Sequence, residues 1–273
     1  MKIRVESDTP KPMADLKKIS ACVLTKNNGR TIAKCLQALA PFGEILVLDT
    51  GSTDNTIDIA QARQGVRLLR QDGVGNFGKT RNLLAAQAAN DWILMVDSDE
   101  ILTPELVGEI QNLQLDSQAA YAILRINHYG NRPIRGCHWE NDFNNRLYDR
   151  RATAWEERAV HESLLIPAGG RSIRLRHAMN HFSCEDAAHY MRKTIWYAEL
   201  HAEAFKGRKR GGTVRALLHG GWTFFRCYVL HRGFLFGRDG FVISRISASG
   251  SFFKYVFLAR ANRRLAREKM DYS

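Results

Sequence analysis

Asp97 and Asp99 stand two positions apart, with Glu100 beside them, directly after the apolar run Asp91–Val96 (DWILMV). Carboxylates spaced this way at the end of a buried strand can converge on one ion where the backbone turns. Oxygen donors of this kind suit a hard dication, Mg2+ or Mn2+, with open positions left for a diphosphate. Two more polar groups end two more apolar runs. Thr25, Lys26, Asn27 and Asn28 close Ile19–Thr25 (ISACVLT), and Asp49, Ser52 and Asp54 close Glu44–Thr50 (EILVLDT). A loop with Gly73, Gly75 and Gly78 then presents Lys79 and Arg81, two cations for an anionic ligand.

The elements that must position these groups alternate. Apolar strands are expected over Ile19–Thr25, Glu44–Thr50, Val66–Arg70 and Asp91–Val96, with helical spacing over Thr31–Ala40 between the first two. Thr53 or Asp54 can cap a helix running to Arg63, and another is expected over Thr80–Ala89. Thr103, Pro104 and Glu105 open a further helix: a capping hydroxyl, a proline at the first position and an acid in the first turn. Nearly continuous apolar strands alternating with helices imply an α/β fold, a mostly parallel sheet covered on both faces. Ligands of such sheets bind beyond the carboxyl ends of the strands, where the polar groups above collect. The second half is less regular. Strands are expected at Tyr121–Asn127, Arg146–Arg150 and Arg171–Phe182, and a helix over Glu185–Phe205. Two helices follow near 214–231 and 251–268, separated by Gly233–Gly240.

The glycine loop matches G-x-G-x-x-G, so an NAD(P)-dependent oxidoreductase is one alternative. The loop falls at the third strand–helix turn, whereas the dinucleotide fingerprint belongs to the first.

The 273 residues, 45% hydrophobic and 25% charged, have globular composition. The five cysteines (Cys22, Cys35, Cys137, Cys184 and Cys227) are scattered and form no C-x-x-C, which points to a reducing compartment. Net charge is +12, and residues 201–273 carry 15 basic against 4 acidic side chains, nearly all of the excess. Leu218, Trp222, Phe225 and Val229 form an apolar stripe edged by Arg215 and Arg226. Arg260, Arg263, Arg264 and Arg267 form a basic one. Aromatics beside arginines suit a helix lying on an anionic membrane surface. Nucleic acid is the rival partner for this charge, but no RNP, KH or zinc-finger signature accompanies it, and no nucleic-acid role is expected. Met1–Lys18 is polar, without the apolar core of a signal peptide, and no apolar run is long enough to span a bilayer. The expectation is a cytoplasmic protein, peripheral on the inner face of the cytoplasmic membrane.

Four segments in order, Val23–Asn28 (VLTKNN), Glu44–Asp54 (EILVLDTGSTD), Gly78–Asn82 (GKTRN) and Trp92–Glu100 (WILMVDSDE), resemble family 2 glycosyltransferases of the GT-A fold. Within that family the chain looks most like bacterial enzymes that add β-linked glucose to the inner core of lipopolysaccharide. The resemblance implies inverting transfer of a sugar from a UDP-sugar donor, UDP-glucose foremost, to a lipid-linked phosphorylated glycan, with Mn2+ or Mg2+ as cofactor. It places Thr25, Lys26, Asn27, Asp49, Ser52, Lys79, Arg81 and Asp97 around the nucleotide sugar and Asp99 on the metal. His181 is a second candidate metal ligand. Inversion needs a base for the acceptor hydroxyl. Glu162, in Val160-His161-Glu162, is the first choice, and Glu156, Glu157 and Asp149 stand behind it, with Glu140, Asp142 and Glu185 as further carboxylates. The expected division is a catalytic domain over 1–205 and a basic helical membrane-association region over 206–273.

Overall fold

The computed structural model describes residues 13–73, 75–157 and 163–271. Four strands, β1 (Ile19–Thr25), β2 (Glu44–Asp49), β3 (Val66–Arg70) and β4 (Trp92–Asp97), run parallel in the order β3-β2-β1-β4. All seven residues of β1 are buried, because helices cover both faces of the sheet. Alternate side chains go to opposite sides. Ile19, Ala21 and Val23 meet Ile32, Cys35 and Leu36 of α1 (Ile32–Ala38), Ala60 of α2 (Thr56–Ala62) and Leu106 and Ile110 of α4 (Pro104–Gln111). Cys22 and Leu24 share the other layer with Leu84 and Ala85 of α3 (Phe77–Ala86).

Past β4 the pairing turns antiparallel. β8 (Phe143–Asp149) pairs with β4, and the sheet continues through β6 (Ala119–Tyr129), β9 (Arg171–Cys184) and β5 (Glu100–Leu102), with β7 (Arg132–Pro133) beside β6. The described residues up to Arg125, together with Asp142–His181, make one compact unit.

The second unit takes Ile126–Asn141 and the chain from Phe182 onward. Helices α5 (Ala187–Phe205) and α6 (Thr213–Phe225) both pack on α7 (Gly237–Asp271). Ile134, Cys137 and Ile243 form a small core with Trp139 and Tyr190 packed against it. On α6 the buried positions are the small residues Ala216 and Gly220. The large apolar ones face outward: Leu218 is 69% exposed, Trp222 54% and Phe225 45%. Val229, in the π-helical turn Arg226–Leu230, and Phe234, in the 3-10 turn Gly233–Phe236, continue the exposed patch. Among the described residues no helix is long and apolar enough to cross a membrane.

Several local expectations shift. α3 starts three residues before Thr80, because Asn76 accepts from Lys79 N at 3.0 Å and caps it. α2 starts at Thr56, with Asn55 at the cap position, although Asp54 accepts from Thr56 N at 3.1 Å. The Gly233–Gly240 separator is largely helical, and the expected helix near 251–268 is the distal part of the 35-residue α7. The Thr103–Pro104 start stands as read, Thr103 Oγ1 accepting from Leu106 N at 3.2 Å.

Candidate functional site

Strand register brings the polar groups together. Thr25 is level with Asp49 on β2, and Leu24 is level with Asp97 on β4. Gly51, at φ 98°, turns the chain after β2 so that Gly51 N and Ser52 N both donate to Asp49 Oδ1 at 3.0 Å. The other carboxylate oxygen, Asp49 Oδ2, is buried without a hydrogen-bond partner among the described residues, and so is Thr25 Oγ1. Buried polar atoms are ordinarily paired, so these two mark a place for a polar ligand.

The loops after β1, β2 and β4 are tied to one another. Asn27 N donates to Ser52 Oγ at 2.8 Å, and Asn27 Oδ1 accepts from Thr53 N at 2.8 Å. Asn28 Nδ2 donates to Ser98 Oγ at 2.7 Å. Asn27 and Ser52 thus shape the rim, while Lys26 and Lys79 are exposed cations.

Asp97 is gripped from two sides. Arg81 Nη2 donates to it at 2.9 Å and Arg146 Nη2 at 2.8 Å. Burial by itself would raise the Asp97 carboxyl, but Arg146 and then Arg81 outweigh it and hold it well below the ordinary carboxylate range. Arg146 also donates to Glu100, which is fully buried, accepts from Arg125 Nη1 at 3.3 Å and receives the Asp97 amide at 3.0 Å. Arg125 continues to Asp142. The Arg81 guanidinium lies 4.8 Å from the centre of the Trp155 ring. Trp155 is fixed in turn by reciprocal backbone bonds with the Asn82 side chain, at 2.8 and 2.9 Å.

Asp99 and His181 come from different elements. β5 and β9 pair with Glu100 opposite His181, which sets His181 Nε2 3.4 Å from Asp99 Oδ2. A carboxylate oxygen and an imidazole nitrogen this close fit two adjacent positions on one dication. A dication held by such mixed donors would be Mn2+ in preference to Mg2+.

Glu162, Val160 and His161 lie outside the described residues. Their flanks pair as a bridge, Trp155 with Leu164, and Glu156 N donates to Ser163 O at 2.8 Å. Among the other carboxylates, Asp149 is engaged by Arg151 at 2.6 Å. It is level with Trp92, at the amino end of β4 and away from the site. Burial would raise its carboxyl, but Arg151 prevails and lowers it, which makes Asp149 a poor base. Asp142 is committed to Arg125, and Glu140 and Glu185 belong to the second unit.

Sequence reasoning missed Arg146 and Arg125. Arg146 did fall inside an expected strand, but Arg150 and Asp149 in the same five residues gave no signal that singled it out. The third glycine of the loop has a packing role: Gly78 is inside α3, where a Cβ would strike the Glu156 carbonyl.

A mixed sheet, four parallel strands continued by antiparallel ones, with acidic groups gathered at the carboxyl ends of β2 and β4, defines an α/β protein with a ligand site at that edge. The family model "Glycosyl transferase family 2" matches residues 20–170, and the chain belongs to that family, with the GT-A fold. An uncharacterized glycosyltransferase of Rickettsia felis is 29% identical over 93% of each chain. The glycosyltransferase SunS of Bacillus subtilis is 32% identical over 38% of this chain and 24% of its own. Among solved structures, the mannosyltransferase PcManGT from Pyrobaculum calidifontis, in complex with GDP-Man and Mn2+, aligns at TM-score 0.46 and 12% identity over 96% of this chain and 84% of its own. S. aureus TarS 1-349 in complex with UDP-GlcNAc aligns at 0.44 and 13% over 92% of each. Neither the oxidoreductase nor the nucleic-acid reading gains support from these relatives.

Proposed function

We propose that this glycosyltransferase is metal-dependent and inverting, that it takes its sugar from a UDP-sugar, UDP-glucose foremost, and that its acceptor is a lipid-linked phosphorylated glycan such as the lipopolysaccharide inner core. The observation that carries the reading is the pair of buried unpartnered acceptors, Thr25 Oγ1 and Asp49 Oδ2, at the same strand edge as the Asp97–Asp99 turn. Asp49 Oδ2 needs an N–H or O–H donor, which a uracil N3–H or a ribose hydroxyl supplies. Arg81 and Arg146 hold Asp97 ionised as an acceptor for ribose hydroxyls, and Lys26 and Lys79 supply positive charge for the phosphates. A dication on Asp99 and His181 would offset charge on the departing diphosphate. Glu162 would take the acceptor hydroxyl proton on the opposite side of the sugar.

Thermal unfolding tests the donor class. UDP with Mn2+ should raise Tm, whereas NADH and an oligonucleotide should not. A shift with NADH and none with UDP would overturn the reading. Assays of UDP-glucose against UDP-GlcNAc and GDP-mannose then rank donors. Glu162→Gln should retain UDP affinity and lose about 100-fold in transfer rate, the low end for general-base removal. Near-normal turnover would move the base to Glu156 or Glu157.

The basic helical region, 206–273, is proposed to hold the enzyme peripherally on the inner face of the cytoplasmic membrane. The outward stripe of Leu218, Trp222, Phe225 and Val229, continued by Phe234, supports this together with the local positive charge. Phe224, Phe236, Phe252 and Phe253 are partly buried and contribute less. Sedimentation with anionic vesicles should show binding that high salt reduces but does not abolish, and Trp222→Ser with Phe225→Ser should weaken it several-fold. Equal affinity for neutral vesicles would contradict the electrostatic share.

A further inference from the structure

The second unit carries a cluster that the glycosyl-transfer reading does not use. Among the described residues, one group of three or more His, Cys, Asp or Glu side chains gathers closely enough to hold an ion: His138, Glu140 and His231. One ligating atom from each lies within 4.8 Å of the other two. His231 Nδ1 is in direct contact with Glu140 Oε1, and the two imidazoles stand edge to face with centroids 4.5 Å apart. Glu140 Oε2 is buried and has no hydrogen-bond partner among the described residues, so the carboxylate retains an unused acceptor inside the cluster.

The backbone holds this arrangement at some cost. Cys137, His138 and Asn141 all have positive φ (58°, 68° and 60°), a region that non-glycine residues seldom occupy. Cys137 N donates to His231 O at 2.9 Å, which ties the 137–141 turn to the end of the α6 segment. That segment finishes in the π-helical turn Arg226–Leu230, and the wider turn sets where His231 stands. Cys137 itself is turned away, its Sγ facing Gly240 O at 3.7 Å, so the donor set is two nitrogens and an oxygen.

We propose that His138, Glu140 and His231 form a second metal site, separate from Asp99 and His181, that binds one borderline transition-metal dication, Zn2+ foremost. Two imidazoles and a carboxylate are a recognised zinc donor set, and a water completes four-coordination. The ion pins the 137–141 turn to the end of α6, which gives the strained backbone a stabilising purpose. Arg226 faces the same cluster. The Arg226 charge opposes a cation and weakens the affinity below that of a site without it.

The test uses the full chain carrying Asp99→Asn, which disables the proposed nucleotide-metal pair and keeps the two sites distinguishable. After chelator treatment and dialysis, Zn2+ titration should reach one equivalent per chain and raise Tm by roughly 5 °C at saturation. Co2+ substitution should give visible bands of a nitrogen–oxygen site with no thiolate charge-transfer band. His138→Ala and His231→Ala should abolish the equivalent, and Glu140→Gln should weaken it at least tenfold. Absence of stoichiometric Zn2+ in the Asp99→Asn chain overturns the proposal without any variant in the cluster. So does a cobalt–thiolate band, or an equivalent that survives in folded His138→Ala and His231→Ala. Those results leave a plain His231–Glu140 contact.

Discussion

Asp99→Asn should lower sugar transfer by about 1000-fold and abolish the extra thermal protection that Mn2+ gives to the UDP complex. Asp99 Oδ2 and His181 Nε2 face each other at 3.4 Å across the β5–β9 pairing, and the amide removes the only anionic member of that pair. Offsetting the charge of a leaving diphosphate contributes several kcal/mol at the transition state, and about 4 kcal/mol corresponds to 1000-fold. UDP itself should still bind in the absence of metal, because Thr25 and Asp49 are untouched. His181→Ala should reproduce the loss of metal dependence with a smaller drop in rate, since the carboxylate remains. Measured side by side, UDP protection with Mn2+ and with EDTA decides the matter. A mutant that keeps the wild-type difference removes Asp99 from the metal.

Arg146→Met should destabilise the protein by about 3–5 kcal/mol, the cost of leaving buried charges without their partner. The Arg146 side chain is 3% exposed and joins Asp97 to the fully buried Glu100. Arg81 would still hold Asp97 and Arg125 would still reach Glu100, so the fold should survive but weaken. Because removing both members of a buried pair costs less than removing one, adding Glu100→Gln should recover part of the loss. The acid response follows from the sign of the Asp97 shift. Its carboxyl is held low in the folded state, so the stabilisation is complete above its ordinary value of about 3.9 and is lost as pH falls below that. Arg146→Met should therefore flatten the decline of stability below about pH 4. Urea unfolding at several pH values reads both effects. A loss under about 1 kcal/mol at pH 7 would mean that these pairs add little to stability.

Much of the first unit was legible in one dimension. A strand buried on both faces must be apolar throughout, so Ile19–Thr25, Glu44–Asp49 and Trp92–Asp97 declared themselves, and the polar residues after them marked the site edge. Thr103–Pro104–Glu105 announced a helix because capping chemistry is local. The matching family confirms the enzyme class that the four ordered segments implied. What the sequence by itself determined is whatever depends on near neighbours in the chain: strand and helix periods, caps, the Asp97–Asp99 spacing and the concentration of charge after residue 200.

Tertiary structure alone decided which distant groups meet. Arg146 lies 49 residues from Asp97, and only the antiparallel pairing of β8 with β4 brings them together. His181 reaches Asp99 through the β5–β9 register, and the stretch Ile126–Asn141 joins the helical unit rather than the sheet unit that flanks it in sequence. The same holds for α6. Its stripe reads as a membrane-facing side, although amphipathic spacing shows that one side differs without showing where that side is turned. Packing on α7 through Ala216 and Gly220 settled it, leaving Leu218, Trp222 and Phe225 outward. His138 and Glu140 meet His231 across some ninety residues, 91 between Glu140 and His231. No spacing rule spans such a loop, since the partners are chosen by where the intervening chain folds.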